Sequence, residues 1–460
     1  MFFLNLLLAY QLEQYHNIRF LKFVYHKPIF WIRGSKRQNI DWTLKALMLL
    51  SLSIIIFIGF NILVLKFYHL FVLLSLLVIF LVYPFVLIIV NFLIYPIDRI
   101  VKKNIVSRAK SKLKKYPDLK VIWITWSYGK TSTKEYLKKI LSSKFNVIAT
   151  PWTYNTEIWI SKFILEDLDE NTQILVLEMW AYLPWDIQKL CDITKLDIWI
   201  ISGITEQHLE RFGNIENIIK TKFELLKNIK DGWLFVFDWE NKNIQNWLNL
   251  YDSELQKIEQ IWIWKLSVSF LSDLWWIEFN FDGVWYKSKL LWRHNAKNLS
   301  IAISVAKKLW IEEKTIQLWV SNIDFVPHRM QLIKWANWVY VIDDSFNGNI
   351  EWVKSTIDLL KTICIDWRKI YLTPGLVELG DISEKIHLEI WNLLSDVVDK
   401  ILLIKNSSTE YIQKWLLENW FKSENIKIYD SAILAHEDLK SILQRWDVIV
   451  FQNDWTDNYL

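Results

Sequence analysis

Residues 46–65 form an apolar run without charged side chains that is long enough to cross a lipid bilayer as one helix. A second apolar run covers residues 67–97, is interrupted at Pro84 and ends at Pro96. Backbone groups inside a bilayer find no water to bond, so a spanning segment of this kind has to be helical. We therefore predict a two-helix transmembrane hairpin over residues 41–100, which contacts membrane lipid.

Basic residues flank the predicted hairpin on both sides, whereas its connecting loop carries only Lys66. By the positive-inside rule, both ends of the hairpin are expected in the cytoplasm. Residues 1–40 then form a cytoplasmic N-terminal segment, and residues 101–118 form a basic linker. The linker is compatible with a solvated helix and with contact to anionic lipid. A net charge of +4 is too small to indicate nucleic acid, and we expect no such partner.

Strands and helices alternate regularly from residue 119 onwards, which is typical of an α/β fold with a parallel, doubly wound sheet. A new α/β unit begins near Phe325, so we predict a central domain over 119–324 and a C-terminal, Rossmann-like domain over 325–460. Cys191 and Cys364 are too few for a disulfide framework or a cysteine zinc site, which suits a reducing compartment. The predicted strands are 121–125, 174–178, 197–204, 340–343, 369–372, 400–403 and 447–451, and the clearest predicted helices are 132–141 and 215–226.

Glycine is scarce in this chain, and tryptophan stands in many places where glycine is expected. There are 10 Gly and 29 Trp, whereas average usage predicts about 32 glycines. Tryptophan occupies turn positions that normally need the positive φ of glycine, as in Pro151-Trp152 and Asn337-Trp338. We infer that the gene uses UGA for glycine and that its UGA codons were read as Trp. UGG codons at Trp123, Trp126 and Trp180 would contradict this hypothesis.

The segment 121–133, VIWITWSYGKTST, has the layout of a phosphate-binding loop between a strand and a helix. As written it departs from G-x-x-x-x-G-K-[ST], because Ile124 stands at the first glycine. With glycine at 123 and 126 it becomes GITGSYGKTST, in which backbone N–H groups face a polyphosphate. Lys130 then balances phosphate charge, and the Thr131 hydroxyl is a ligand for Mg²⁺. The predicted ATP-binding residues of this loop are Thr125, Trp126, Ser127, Tyr128, Gly129, Lys130, Thr131 and Ser132.

GITGSYGKTST resembles the phosphate loop of the Mur ligase family of bacterial cell-wall synthesis, and further family motifs follow in order through residues 119–460. Most of the family glycines in these motifs are Trp here. The match is strongest with the branch that adds D-alanyl-D-alanine. The matching segments are ATPWTYNTEIWIS (149–161), LEMWAYLPWDI (177–187), ITEQHLERFGNIENIIKTKFEL (204–225), LLWRHNAKNLSIAISVA (290–306), PHRMQ (327–331), IDDSFNGN (342–349), LTPGLVELG (372–380) and FQNDWTDNY (451–459).

This resemblance implies roles for individual residues. Thr131 and Glu178 match ligands of Mg²⁺, and two ions are expected. His208 and a lysine carbamylated by CO₂, Lys222, match the second metal's ligands. Lys130, His208, Lys222 and Arg329 are the implied catalytic residues.

Further roles in binding ATP and the two other substrates also follow from the resemblance. Asn295, with His294 nearby, is implied in adenine binding. Arg329 and Asp344 are implied in reaching ATP from the C-terminal domain. The acyl-substrate side is implied to contain Asn155 and Thr156, and the amine pocket Asn347 and Asn349.

The function implied is that of an ATP-dependent, ADP-forming amide ligase at the bacterial inner membrane, with its catalytic domains in the cytoplasm. Such a ligase adds D-alanyl-D-alanine to a muramoyl-tripeptide through an acyl phosphate, in peptidoglycan synthesis, and so supports cell shape and division. Family members usually begin with a domain that binds the uridine nucleotide of the substrate. In this chain, residues 1–118 contain the predicted hairpin instead. The acyl substrate is therefore UDP-linked or lipid-linked. The alternatives are a related ligase for another peptide precursor and an inactive membrane scaffold.

Overall fold

The structure is a computed structural model in which the chain divides into two compact units, residues 1–107 and 108–460. The described residues are 2–26, 40–67, 72–125, 129–151, 154–179, 186–194, 196–205, 214–224, 232–249, 255–271, 275–346, 348–363, 367–376, 379, 382–406, 408–419 and 421–452.

The first unit is helical. Its described helices are α1 (Phe2–Leu12), α2 (Asn17–His26), α3 (Leu44–Phe67) and the beginning of α4 (Val72–Leu113). Small apolar clusters join them, and one cluster brings Leu6 and Tyr10 of α1 against Tyr83 and Leu87 of α4. The hydroxyls of Ser53 and Tyr83 lie 2.7 Å apart and link α3 to α4.

Two helices of this unit are long and apolar enough to cross a membrane, judged by length and composition alone. The two spans are Leu44–Leu63, with a mean hydropathy of 2.5, and Val82–Leu113, with 1.8. Only 17% and 22% of their most apolar windows are buried, unlike the core helix of a soluble protein. Helix α4 continues through Pro84 and Pro96, where the sequence suggested an interruption and an end. Membrane helices tolerate proline when neighbouring groups satisfy the freed backbone carbonyls.

The described residues of the second unit form two six-stranded sheets and a small antiparallel one, and the α/β prediction is confirmed. In the first sheet the strand order is β2-β3-β1-β4-β5-β6, and every pair is parallel. Its strands are β1 (Lys120–Thr125), β2 (Val147–Ala149), β3 (Ile174–Met179), β4 (Ile198–Ile201), β5 (Leu234–Asp238) and β6 (Glu259–Ile263). The helices along this part of the chain are α5 (Lys130–Leu141), α6 (Glu157–Asp167), α7 (Asp186–Cys191), α8 (Ile215–Lys222) and α9 (Lys242–Leu248).

The second large sheet has the order β10-β11-β15-β12-β13-β14, with only the edge pair β10–β11 antiparallel. The predicted boundary at residue 325 falls between α11 and β10 and stays a prediction. The strands of this part are β7 (Ser267–Leu271), β8 (Trp276–Phe281) and β9 (Val284–Ser288) of the small sheet, then β10 (Gln331–Lys334), β11 (Tyr340–Asp344), β12 (Lys369–Thr373), β13 (Lys400–Ile404), β14 (Ile426–Tyr429) and β15 (Val448–Gln452). The helices are α10 (Arg293–Lys308), α11 (Glu313–Ser321), α12 (Ile350–Ile363), α13 (Ser383–Ser395), α14 (Thr409–Glu418) and α15 (Ala432–Ile442), with 3₁₀ turns at Ala336–Trp338 and Ser423–Asn425.

Five tryptophans among the described residues have backbone angles that suit glycine. Trp275, Trp292, Trp310, Trp338 and Trp446 have φ values of 54°, 69°, 58°, 61° and 72°. A side chain with a Cβ is strained there, whereas glycine is not. These backbone angles support the hypothesis that UGA encodes glycine in this gene.

Trp310 offers the cleanest test of this strain, because its side chain is 85% exposed and contributes little packing. We expect Trp310→Gly to be more stable than Trp310→Ala by about 1 kcal/mol, since alanine keeps the Cβ that conflicts with positive φ. Urea denaturation of the two variants measures the difference. Equal free energies of unfolding would show that this backbone position does not require glycine.

Candidate active site

The candidate site lies where β1 and β3 end and α5 begins. The two strands pair in parallel, with Ile124 opposite Glu178 and Thr125 opposite Met179. Gly129, with φ of 77°, precedes α5 in the left-handed conformation that glycine permits. Residues 126–128 of the predicted loop, Trp126, Ser127 and Tyr128, lie outside the described residues. The N-terminus of α5 supplies backbone N–H groups and a positive dipole end, as an anion site requires.

Lys130 is the first residue of α5 and is 8% exposed. Burial lowers the pKa of Lys130 to about 8, the carboxylate of Glu178 raises it, and the guanidinium of Arg329 lowers it. The ammonium therefore remains mostly charged at neutral pH. In a poorly hydrated position its attraction for an anion is stronger than in water.

Thr131 and Glu178 bring two hard oxygen donors together. The Thr131 hydroxyl donates to Glu178, with Oγ1 3.1 Å from Oε2 and 3.4 Å from Oε1, and both residues are buried. The backbone N–H of Glu178 donates to Thr150 Oγ1 at 3.1 Å, which fixes the end of β3. Oxygen ligands of this kind suit Mg²⁺, which also keeps waters and binds phosphate oxygens. The residues present therefore fit a magnesium site.

Lys134 was missed by the sequence analysis. Its ammonium Nζ lies 3.2 Å from Glu178 Oε2, and its side chain is fully buried. Lysine is rarely buried unless it is paired. The spacing could have indicated that Lys134 lies near the site, because residues 130, 131 and 134 lie on one face of a helix.

Lys222 is the last residue of α8, and the residue is partly exposed to solvent. Desolvation of its amine lowers the pKa of Lys222 well below that of an ordinary lysine, and the charge of Lys130 lowers it further. A neutral amine is the form that reacts with CO₂. His208 lies outside the described residues. Within the described ranges, no group of three or more His, Cys, Asp and Glu residues is placed to hold a metal.

Arg329 comes from the turn that precedes β10 and approaches the phosphate loop. Its charge acts on both Lys130 and Glu178. Its Nη1 donates to the Phe346 carbonyl at 2.8 Å, and its guanidinium lies 4.7 Å from the centre of the Phe346 ring. Asp344 is fully buried at the end of β11, and burial raises the pKa of Asp344 to about 8 against the lowering effect of Arg329.

Asn295 lies in the first turn of α10, with both ends of its side chain already bonded. Its Oδ1 accepts from the Tyr136 hydroxyl at 2.8 Å, and its Nδ2 donates to the Leu291 carbonyl at 2.7 Å. Adenine binding by Asn295 stays a prediction. His294 has Nδ1 3.0 Å from Ser355 Oγ, and burial lowers the pKa of His294 to about 3, which keeps the ring neutral.

The other predicted site residues have varied positions. Thr125 Oγ1 accepts from Trp199 Nε1 at 3.3 Å, and Ser132 is buried in α5. Asn155 and Thr156 immediately precede α6, and Thr156 is its N-cap residue. Asn349 uses its Oδ1 to accept from the Trp352 N–H at 3.1 Å, next to the start of α12. Asn347 lies outside the described residues.

The sequence of this region matches known proteins. Residues 124–306 match the Mur ligase middle domain. The UDP-N-acetylmuramoyl-tripeptide–D-alanyl-D-alanine ligase of Bacillus subtilis is 24% identical over 346 residues, which are 72% of either chain. The ligase of the same name from Borreliella burgdorferi is 29% identical over 301 residues, or 62% of either chain.

Solved structures share the fold. The MurF ligase from Thermotoga maritima, solved in complex with ADP, aligns with a TM-score of 0.66 at 24% identity, covering 77% of this chain and 80% of that one. MurF from Acinetobacter baumannii gives the same TM-score at 19% identity, covering 77% and 78%. Residues 124–306 therefore match a Mur ligase middle domain, and the chain shares its fold with these solved MurF ligases.

Proposed function

We propose that the chain is an ATP-dependent amide ligase that adds D-alanyl-D-alanine to a muramoyl-tripeptide through an acyl phosphate. The observation that carries the proposal is the buried group formed by Lys130, Thr131 and Glu178 at the N-terminus of α5, with the charge of Arg329 beside it. The D-alanyl-D-alanine ligases among the homologues favour these substrates over those of other ligases.

In the first step, a carboxylate oxygen of the peptide attacks the γ-phosphorus of ATP, and the bond to ADP breaks. Lys130 and Arg329 face the phosphoryl group and stabilise the charge that develops on it. Thr131 and Glu178 would hold one Mg²⁺, which supplies further charge neutralisation. The amine of D-alanyl-D-alanine then attacks the acyl carbon, loses a proton, and phosphate leaves.

A second Mg²⁺ would be held by His208 and by Lys222 after carbamylation. The low pKa of Lys222 supports this role, because CO₂ adds only to a neutral amine. Addition of CO₂ to the neutral amine, with loss of one proton, gives an anionic carbamate, which would attract both Lys130 and the metal.

Replacing Lys222 by alanine should lower kcat about 10²-fold, since the carbamate that holds the second metal is lost. Acetate at high concentration should restore part of the activity, because its carboxylate occupies the place of the carbamate. Lys220→Ala is the matched control, as Lys220 is exposed on the same helix. Full activity of the Lys222 variant without acetate would exclude a carbamate from the mechanism.

The substrate assignment is tested by phosphate release in the glycine form, meaning the protein made with glycine at every UGA position. Release is expected only when ATP, a muramoyl-tripeptide and D-alanyl-D-alanine are all present, because the acyl phosphate is discharged by the amine. Lys130→Ala should reduce release about 10²- to 10³-fold, since it removes a charge facing the transferring phosphoryl group. Release independent of D-alanyl-D-alanine would contradict the assignment, and no release at all would favour an inactive scaffold.

The second candidate is a related ligase that uses a lipid-linked muramoyl peptide at the cytoplasmic face of the inner membrane. The two apolar helices favour it, because an anchored enzyme meets a lipid-linked substrate in the same plane.

The full chain is expected to sediment with membranes after a carbonate wash and to be released by detergent, because its two spans expose large apolar side chains such as Ile55 and Phe92. The purified enzyme is then assayed in vesicles with the UDP-linked and the lipid-linked peptide at equal concentration. Higher kcat/KM on the lipid-linked peptide supports the second candidate. Recovery of the protein in the soluble fraction would contradict membrane anchoring.

A further inference from the structure

The buried ion pair between Lys134 and Glu178 ties the proposed metal ligand to the helix that follows the phosphate loop. Lys134 lies one helical turn after Lys130 and Thr131, and its side chain has no exposed surface. Its Nζ is 3.2 Å from Glu178 Oε2, and the more exposed Glu135 lies 3.7 Å away. One carboxylate oxygen of Glu178 is therefore held by an ammonium before any metal arrives.

The charges around Glu178 are mostly positive. Lys134 contacts it directly, and Lys130 and Arg329 act on it electrostatically. Asp344 faces Arg329, but with a pKa of about 8 it is largely protonated at neutral pH. A divalent cation that approaches without nucleotide thus meets three cations against the carboxylate of Glu178 and that of Glu135, which lies 3.7 Å from the Lys134 ammonium.

We propose that Lys134 is a positioning residue that holds Glu178 ready for the metal and keeps a divalent cation from binding before the nucleotide. The phosphates of ATP would bring negative charge that offsets the repulsion, so that Thr131 and Glu178 could then hold the metal. The inference rests on the proposed function, because it takes Glu178 as a metal ligand.

The test uses Mn²⁺ as the probe and the glycine form of the full chain, with free Mn²⁺ measured by electron paramagnetic resonance. Without nucleotide, Lys134→Met should bind Mn²⁺ at least about tenfold more tightly than the parent, because the carboxylate of Glu178 is no longer neutralised by the paired ammonium. The same variant should have a lower kcat with ATP, since the ion pair that positions Glu178 is lost. Lys138→Met is the matched control, because Lys138 is exposed on the same helix, and it should change neither quantity.

A double variant separates a local electrostatic effect from a general loosening of the fold. In the Glu178→Gln background, the gain in Mn²⁺ affinity caused by Lys134→Met should vanish, because Lys134 acts through that carboxylate. Equal Mn²⁺ affinities of parent and Lys134→Met, or a gain that persists in the Glu178→Gln background, would overturn the proposal. Lys134→Gln keeps a hydrogen-bond donor to Glu178 and serves if the methionine variant unfolds.

The parent protein provides a measurement that needs no variant. Mn²⁺ should bind at least about tenfold more tightly with a non-hydrolysable ATP analogue than without it, after correction for binding to the analogue itself. Equal affinities would overturn the role of Lys134 even if both variants unfold. If no Mn²⁺ binds with the analogue, the metal assignment of the proposed function fails. If nucleotide-dependent binding is present but Lys134→Met behaves like the parent, only the role of Lys134 fails.

Discussion

The parallel pairing of β1 with β3 is the constraint on which the site depends. It places Glu178 opposite Ile124, at the sheet edge where the chain leaves β1 for the phosphate loop. Helix α5 then returns across the sheet and brings Thr131 and Lys134 to the same carboxylate. A one-residue slip would turn Glu178 to the other face of the sheet and remove it from both partners.

The sequence predicted most of the parallel strands because they are buried on both faces and read as short apolar runs. It also placed Lys130, Thr131 and Glu178 at strand–helix junctions. It did not predict the parallel strands β2, β5, β6 and β14 or the antiparallel edge strand β10. It also did not predict β7–β9, which contain two tryptophans, Trp276 and Trp285. Lys134 was also missed, because a helical lysine is normally solvated, and only the tertiary position of Glu178 explains its burial.

The tryptophans explain why local sequence patterns were least informative in turns. Trp292 immediately precedes α10 and has a φ of 69°. Glycine adopts this backbone angle without strain, whereas a residue with a Cβ does not. Trp123 is fully buried in β1, and its Nε1 has no hydrogen-bond partner among the described residues. An unsatisfied buried donor costs about 1–3 kcal/mol, a cost that glycine would not incur. The positive φ angles and the unsatisfied buried indole N–H thus support independently the hypothesis that glycine belongs at these positions.

Arg329 connects residues that follow or belong to the two large sheets. It is held by Phe346, beyond the end of β11, while its charge acts on Glu178 of β3. Glu178 is buried and Arg329 is half-buried, so in the proposed reaction the charge that develops on a phosphoryl group near them is stabilised by fixed groups more than by solvent. The same exclusion of water protects an acyl phosphate from hydrolysis until an amine arrives. In the proposed reaction, the charge of Arg329 near Lys130 and Glu178 therefore serves both the formation of the intermediate and its survival.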